Sequence, residues 1–406
     1  KFLSPLLILM LPATFPYPPT NGGTQVRTFN LLKYLHPRHE VTIATLRNDQ
    51  VTPADVVALR QFATEVIVFD RPAAPNLNLI SKLQRGLDFL ITGTPSGVRS
   101  SYSPELQNWL DRAVKDQKFD VITCEHSVNE NYLNPDWKNS LRTVVNVHSS
   151  VYATCKNQLE TKTAEKPFRD RLNQPLLKRY EQRFSHKFST IVVTTDDDAQ
   201  QFKTFAPNTP IATIPNGVDF DDFPYRSTDP NNHDLIFIGA MDNLANIDAA
   251  RFLAQEIFPI VQQRYPDSKL MLVGSRPVPE VLKLNQLPNV VVTGAVPSIA
   301  DYLHRATVCV IPMRTGFGIK NKTLEAMAAG TPVVSSDRGL EGLTLDPDRP
   351  CALRANNPAQ YSAAITQLLD NIALRESISH HARAYIERDF TWEQAGRRYE
   401  SAILGV

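Results

Sequence analysis

The chain has 406 residues, 43 Lys and Arg against 42 Asp and Glu, and a formal net charge of +1. Near-neutrality argues against a general nucleic-acid binder, and 42% hydrophobic with 21% charged residues excludes wholesale disorder. At about 150 residues per domain, the length suggests two or three domains.

In chain order, residues 1–11 (KFLSPLLILML) carry one positive charge and are followed by Pro12, Pro16, Pro18 and Pro19, not by a small-residue cleavage site. They are expected to form a first buried strand over 6–11. No apolar run reaches about 18 residues, so no span is expected. A helix is expected over 25–35, strands over 41–46 and 65–69, and a helix over 103–114. Residues 77–91 (LNLISKLQRGLDFLI) are amphipathic, with Lys82 and Arg85 among leucines. The preferred reading is a helix facing its own core; contact with a membrane or a lipid acceptor is the alternative.

Further strands are expected over 120–123, 143–147, 190–194 and 211–214. His126 and His148 each end one of them. Residues 160–183 are strongly charged and read as a solvated helical arm, with a helix over 176–184. A stretch without periodicity, 215–231 (PNGVDFDDFPYRSTDPN), separates this first run of strands from a second over 235–238, 270–273, 290–293, 308–311 and 333–335. Helical patterns cover 249–263 and 359–369. The segment 390–404 places Trp392, Ala395, Tyr399, Ala402 and Ile403 at helical spacing. Strands apolar along their whole length, alternating with helices, indicate α/β doubly wound parallel sheets. The expected domains are 1–216 and 217–389, with 390–406 packing back on the first.

The four cysteines, Cys124, Cys155, Cys309 and Cys351, show no metal-ligand spacing. They read as buried free thiols in a reducing, cytoplasmic setting, and no metal site is expected.

The most informative stretch is 314–330 (RTGFGIKNKTLEAMAAG), which follows the strand at 308–311. Gly316 and Gly318 permit a tight loop with backbone N–H groups close to a ligand. A helix is expected from Asn321. Its amide-rich start favours an anion, and Lys320 and Lys322 add positive charge there. Glu325, one turn inside, is suited to accept two hydrogen bonds from a vicinal diol such as a ribose. Together these predict a metal-free grip on a nucleoside diphosphate.

The order strand, GxGxKxK, LEAMAxGxPVVS and strand resembles the donor-binding motif of retaining glycosyltransferase family 4, and the loop is similar to a bacterial subset with GIKNK-type sequences. The resemblance covers nearly the whole chain, most weakly over 77–118 and 152–176. It implies the GT-B fold: two Rossmann-like doubly wound α/β domains facing across a cleft. It also implies a hexosyltransferase using a nucleoside-diphosphate sugar, with a UDP-sugar favoured, and no cofactor. The acceptor would be a saccharide, a lipid or a small hydroxyl compound. Peripheral attachment at the inner membrane is an alternative to a purely cytoplasmic location.

By the same resemblance, Gly22 and Gly23 face the donor phosphates, as does Gly239. His148 contacts the transferred sugar, with His126 as its rival. The backbone around Val296 recognises the base, Asn216–Gly217 forms a hinge at a φ > 0 turn, and Ile319, Thr323 and Leu324 belong to the donor loop. Two departures stand out. Phe317 occupies the position eight before Glu325, where the family often has a first Glu. Residues 240–248 (AMDNLANID) carry no basic side chain, so phosphate neutralisation is assigned to Lys320 and Lys322, with Arg276 or Arg314 assisting. Two other functions remain open at this point. One is a non-catalytic nucleotide-sugar-binding subunit, suggested by the missing Glu. The other is a GT-B-like epimerase, for which no acid–base carboxylate pair presents itself.

Overall fold

The structure is a computed structural model that describes residues 4–19, 22–72, 89–316 and 318–406. Most of the amphipathic stretch at 77–91, and Phe317, lie outside the described residues. The chain divides into two compact units, Lys1–Pro215 with Ala395–Val406, and Asn216–Gln394.

The first unit holds a parallel sheet of β1 (Leu7–Leu11), β2 (Glu40–Arg47), β3 (Glu65–Asp70), β4 (Val121–Cys124), β5 (Arg142–Val147), β6 (Thr190–Val193) and β7 (Ile211–Thr213). Their order is β3-β2-β1-β4-β5-β6-β7. Burial of β1, β4 and β6 on both faces explains why they appear in the sequence as unbroken apolar runs. Helices α1 (Gly23–Leu35), α2 (Pro104–Lys115), α3 (Val151–Glu160), α4 (Pro167–Ser185) and α5 (Asp196–Phe205) alternate with them. Their starts are set locally. Ser150 Oγ accepts from Ala153 N–H at 2.9 Å to cap α3, and Thr195 Oγ1 accepts from Asp198 N–H at 3.2 Å to cap α5. Three acids, Asp196, Asp197 and Asp198, complement the dipole of α5.

The second unit holds β8 (Leu235–Ile238), β9 (Leu270–Val273), β10 (Val290–Gly294), β11 (Val308–Ile311), β12 (Val333–Ser335) and the short β13 (Leu353–Arg354), all parallel, in the order β10-β9-β8-β11-β12-β13. Its helices include α6 (Leu244–Phe252), α7 (Phe258–Arg264), α8 (Asn321–Ala328), α9 (Pro358–Asp370) and α10 (Ile372–Asp389). The expected single helix over 249–263 is interrupted by a π-helical turn, Leu253–Ile257. Pro259 follows it at the head of α7 and has no N–H for a regular helical bond, which accounts for the wide turn.

The last helix, α11 (Trp392–Leu404), crosses the division between the units. Arg142 of β5 anchors its end, Nε donating to Ile403 O at 2.6 Å. On the same helix Tyr399 is fully buried and donates to Glu125 Oε1 at 2.6 Å. Gly217 corrects one expectation: it is not among the glycines at positive φ. Its small size matters because an added Cβ would lie 2.4 Å from Trp392 N.

Candidate functional site

Both sheets reverse strand order beside their first strand, between β1 and β4 and between β8 and β11. In open α/β sheets such a switch point, at the carboxyl ends of the strands, is where ligands bind. In the second unit Gly239 follows β8 and Gly274 follows β9. The two backbones nearly touch, since a Cβ on Gly274 would fall 1.8 Å from Gly239 O. A Cβ on Gly239 would lie 2.9 Å from Asn246 Nδ2 and 3.2 Å from Lys322 Cε. From β11 the chain passes through Gly316 (φ +88°) and Gly318 (φ +82°) into α8. These left-handed positions suit glycine.

The two lysines of the loop differ in role. Lys320 is buried, donates to Gly318 O, and forms an ion pair with Glu341 Oε2 at 3.2 Å. Arg338 Nη1 approaches the same oxygen at 3.0 Å. The cation pair expected from the sequence is therefore one lysine tied to a carboxylate and one that is not. Lys322 Nζ donates to the neutral Asn246 Oδ1 at 2.7 Å and sits 5.6 Å from the Phe237 ring centroid. It has no ion-pair partner among the described residues. Desolvation, then the Lys320 charge, push its pKa down to about 8.

Glu325, one turn into α8, is pushed up to about 7 by desolvation against the pull of Lys322. Its carboxylate makes no hydrogen bond among the described residues. For both groups burial works against the charged form, a perturbation that clusters at binding sites.

The other expected basic residues are engaged. Arg276, itself at φ 53°, pairs with Asp242 (Nε to Oδ2, 2.6 Å), and Arg314 pairs with Asp248 (Nε to Oδ2, 2.9 Å) while stacking on Phe252. Thr323 Oγ1 donates to Gly339 O at 2.7 Å. Ile319 and Leu324 are core residues, and Val296, just past β10, packs half-buried against that core. These three act on the backbone's path, not through polar side-chain atoms.

In the first unit, Gly22 and Gly23 lead into α1. One turn later Arg27 is fully buried, its Nε donating to Asn146 Oδ1 at 3.0 Å. Burial lowers its pKa to about 10. Asn146 Nδ2 in turn donates to Glu125 Oε2 at 3.3 Å. The His148 ring hydrogen-bonds the Glu125 backbone, and its Nε2 has no partner. Desolvation holds its pKa well below the usual range, with His126 and Arg27 adding to the effect. The His126 ring lies 5.3 Å away, centroid to centroid, with its pKa lowered to about 4. Two neutral imidazoles thus stand together at the ends of β4 and β5, so His126 and His148 are neighbours as well as rivals.

Two family models match the chain: "Glycosyltransferase Family 4" over residues 21–222 and "Glycosyl transferases group 1" over 232–371. The chain is a family 4-like glycosyltransferase. Its curated relatives include the capsular polysaccharide biosynthesis glycosyltransferase CapM of Staphylococcus aureus, 26% identical over 46% of this chain and 53% of CapM. Another is a GDP-mannose-dependent monoacylated α-(1-6)-phosphatidylinositol monomannoside mannosyltransferase of Corynebacterium glutamicum, 27% identical over 36% of this chain and 41% of that protein. The matched stretch thus spans about half the length of these relatives or less.

Solved structures show the GT-B fold. Sucrose-phosphate synthase from Thermosynechococcus elongatus superposes with a TM-score of 0.72 at 17% identity, covering 98% of both chains. Anabaena HepE in complex with UDP and glucose gives 0.66 at 14% identity, covering 99% of this chain and 100% of HepE.

Within this glycosyltransferase, several groups around the two switch points escaped sequence reasoning. Asn246, Gly274 and Glu341 lie far in sequence from the lysines and glycine they adjoin. Arg27, Asn146, Glu125 and Tyr399 meet from four separate elements. No spacing rule connects such groups. Only the polar residue inside an otherwise apolar strand, Asn146 in TVVNV, offered a local hint. Among the described residues no group of three or more His, Cys, Asp or Glu is arranged to hold a metal ion.

Proposed function

We propose that this glycosyltransferase is a retaining, metal-independent hexosyltransferase. It would take a hexosyl group from a nucleoside-diphosphate sugar, with UDP-glucose or UDP-N-acetylglucosamine favoured, and pass it to an acceptor hydroxyl. The observation that carries this reading is Lys322. It is a desolvated ammonium held by a neutral amide at the β8/β11 switch point, beside Gly239 and the Gly316–Gly318 loop. Lys320, paired with Glu341, then supports the loop more than it supplies free charge.

In the reaction, the bond from the anomeric carbon to the β-phosphate oxygen breaks and its electron pair stays on the phosphate. Lys322 and the loop amides stabilise that growing charge more than the ground state, which lowers the barrier. The acceptor oxygen attacks from the same face, and its proton passes to a phosphate oxygen. Neutral His148, with its unpaired Nε2, positions the sugar and is not asked to act as a base. Glu325 accepts the ribose diol.

The UDP complex of the Anabaena neighbour supports the choice of base, whereas the C. glutamicum relative is named for GDP-mannose. That same name supports a lipid among the acceptor classes. Thermal-shift titration with UDP, GDP and ADP, followed by their sugars, tests the donor site. A shift with one nucleotide that vanishes in Lys322→Ala and Glu325→Ala is expected. No shift with any nucleotide would overturn the assignment. The product's anomeric configuration by NMR then decides retention, and a new epimer from the donor alone would mark the chain as an epimerase.

A further inference from the structure

Helix α4 buries only its second half: Tyr180, Glu181, Phe184 and Ser185 face the core. Its first half leaves Phe168 77% exposed and Leu172, one turn on, 60% exposed. Arg171, Lys178 and Arg179 are exposed on the same helix, and Lys162 and Lys166 are exposed just before it. Over residues 161–179 there are six basic side chains and two acidic ones, and Asp170, one of the acids, is already bound by Arg169 at 2.9 Å.

A second exposed apolar pair adjoins the helix. Leu90 and Ile91 are 60% and 67% exposed. Their segment is seated on α4: Arg183 donates to Thr92 O and to Thr94 Oγ1 (2.7 Å), and a Cβ on Gly93 would lie 2.8 Å from Leu176 O.

We infer that this face of α4 docks on an anionic membrane surface, the exposed Phe168 and Leu172 entering the interface and the basic side chains meeting lipid headgroups. An exposed phenylalanine and leucine side by side are unusual on a solvated helix, and their predominantly basic surroundings match an anionic bilayer. A protein partner fits less well, because interface cores are depleted in lysine. Helix α3, which precedes α4, is capped by Ser150, two residues after His148. Docking would anchor the first unit, which carries the histidine pair, at the bilayer. This points to a membrane-borne hydroxyl as acceptor, a consequence that rests on the transfer reaction proposed above. The docking itself does not.

The test is co-sedimentation of the purified full chain with vesicles of phosphatidylglycerol and phosphatidylcholine, against phosphatidylcholine alone. Binding to the anionic vesicles only, weakened by salt, is expected. Neutralising three charges together (Arg171→Gln, Lys178→Gln, Arg179→Gln) should weaken it roughly a hundredfold, at about fivefold per charge. Phe168→Ser with Leu172→Ser should weaken it by at least about tenfold. All these positions are exposed, so melting temperature and nucleotide-induced shift should be unchanged. That separates failure of docking from failure of the sugar-donor site. Equal binding to both vesicle types, no binding, or variants that bind as the native chain does would overturn the proposal. So would a dimer in sedimentation velocity that Phe168→Ser dissociates, which would make the face a protein interface.

Discussion

Lys322 Nζ donates to Asn246 Oδ1 at 2.7 Å, and Asn246 Nδ2 donates onward to Ala240 O at 2.8 Å. The amide fixes the ammonium without neutralising it, which leaves its charge for a ligand. A hydrogen bond to a charged group is worth about 1.5–3 kcal/mol. Asn246→Ala is therefore expected to weaken nucleotide binding by roughly tenfold or more by calorimetry. Asn246→Asp should weaken it further, because the new carboxylate would pair with Lys322. The Asp variant should also melt higher than the Ala variant, since a buried cation gains a counter-charge. Equal affinity in all three proteins would show that Asn246 does not position the lysine.

The pH dependence follows from the same corner of the site. Lys322 must be charged to meet phosphate, and its pKa is lowered from 10.5 to about 8. Glu325 must be ionised to accept a diol, and its pKa is raised from 4.5 to about 7. Nucleotide affinity should therefore peak between about pH 7 and 8 and fall on both sides. Binding should take up protons near pH 8, seen as a buffer-dependent enthalpy. The stability signs are opposite to those of a salt bridge. The Lys322 penalty is full below about pH 8 and is relieved as pH rises toward 10.5; the Glu325 penalty is full above about pH 7 and is relieved as pH falls toward 4.5. Lys322→Met should accordingly melt no lower than the native protein at pH 7 while losing the nucleotide shift.

The central parallel strands, β8, β11 and β12 among them, were legible because both faces are buried, so each is an apolar run with clean ends. β13 was not, since two residues, Leu353 and Arg354, leave no pattern. Helix α10 lacks a simple apolar stripe because Arg375 is fully buried on it, bonded to Asp229 at 2.9 Å. The start of α5, Asp196–Asp197–Asp198, resembles a polar loop unless the acids are credited to the helix dipole. In the site, Gly316, Gly318, Lys320, Lys322 and Glu325 share one short loop and helix, so their spacing carried meaning. Glu341 changed the role of Lys320 from a distance of 21 residues, which no local pattern could announce.

Tyr399 on α11 and Glu125 at the end of β4 offer a test of how the last helix supports the histidine pair. Glu125 also accepts from Thr123 Oγ1 at 2.7 Å, and desolvation raises its pKa. Tyr399→Phe removes a buried donor and should destabilise the fold by about 1–3 kcal/mol. A raised carboxyl is easier to protonate in the folded state, and the lost bond served the ionised form. The destabilisation should therefore grow as pH rises through the Glu125 titration and shrink in acid. Because His148 hydrogen-bonds the Glu125 backbone, transfer activity should fall while nucleotide affinity is kept. A pH-independent loss of stability would sink the link to Glu125.

Gly239 and Gly274 make the sharpest pair of substitutions, because the same added methyl meets different neighbours. At Gly274 the Cβ would fall 1.8 Å from Gly239 O, a backbone atom that cannot yield without parting β8 from β9. Gly274→Ala is expected to cost about 3 kcal/mol and to lower the melting temperature visibly. At Gly239 the Cβ would press on Asn246 Nδ2 and Lys322 Cε, the ends of side chains that can move. Gly239→Ala strains the backbone at φ +157°, but it should cost less than Gly274→Ala while displacing the ammonium and narrowing the space for a phosphate. The expected outcome is a melting temperature above that of Gly274→Ala with nucleotide affinity reduced at least about tenfold, read by calorimetry on the same sample. If Gly239→Ala instead bound nucleotide normally, Gly239 would be a packing residue and the phosphate would have to sit elsewhere along the β8/β11 edge.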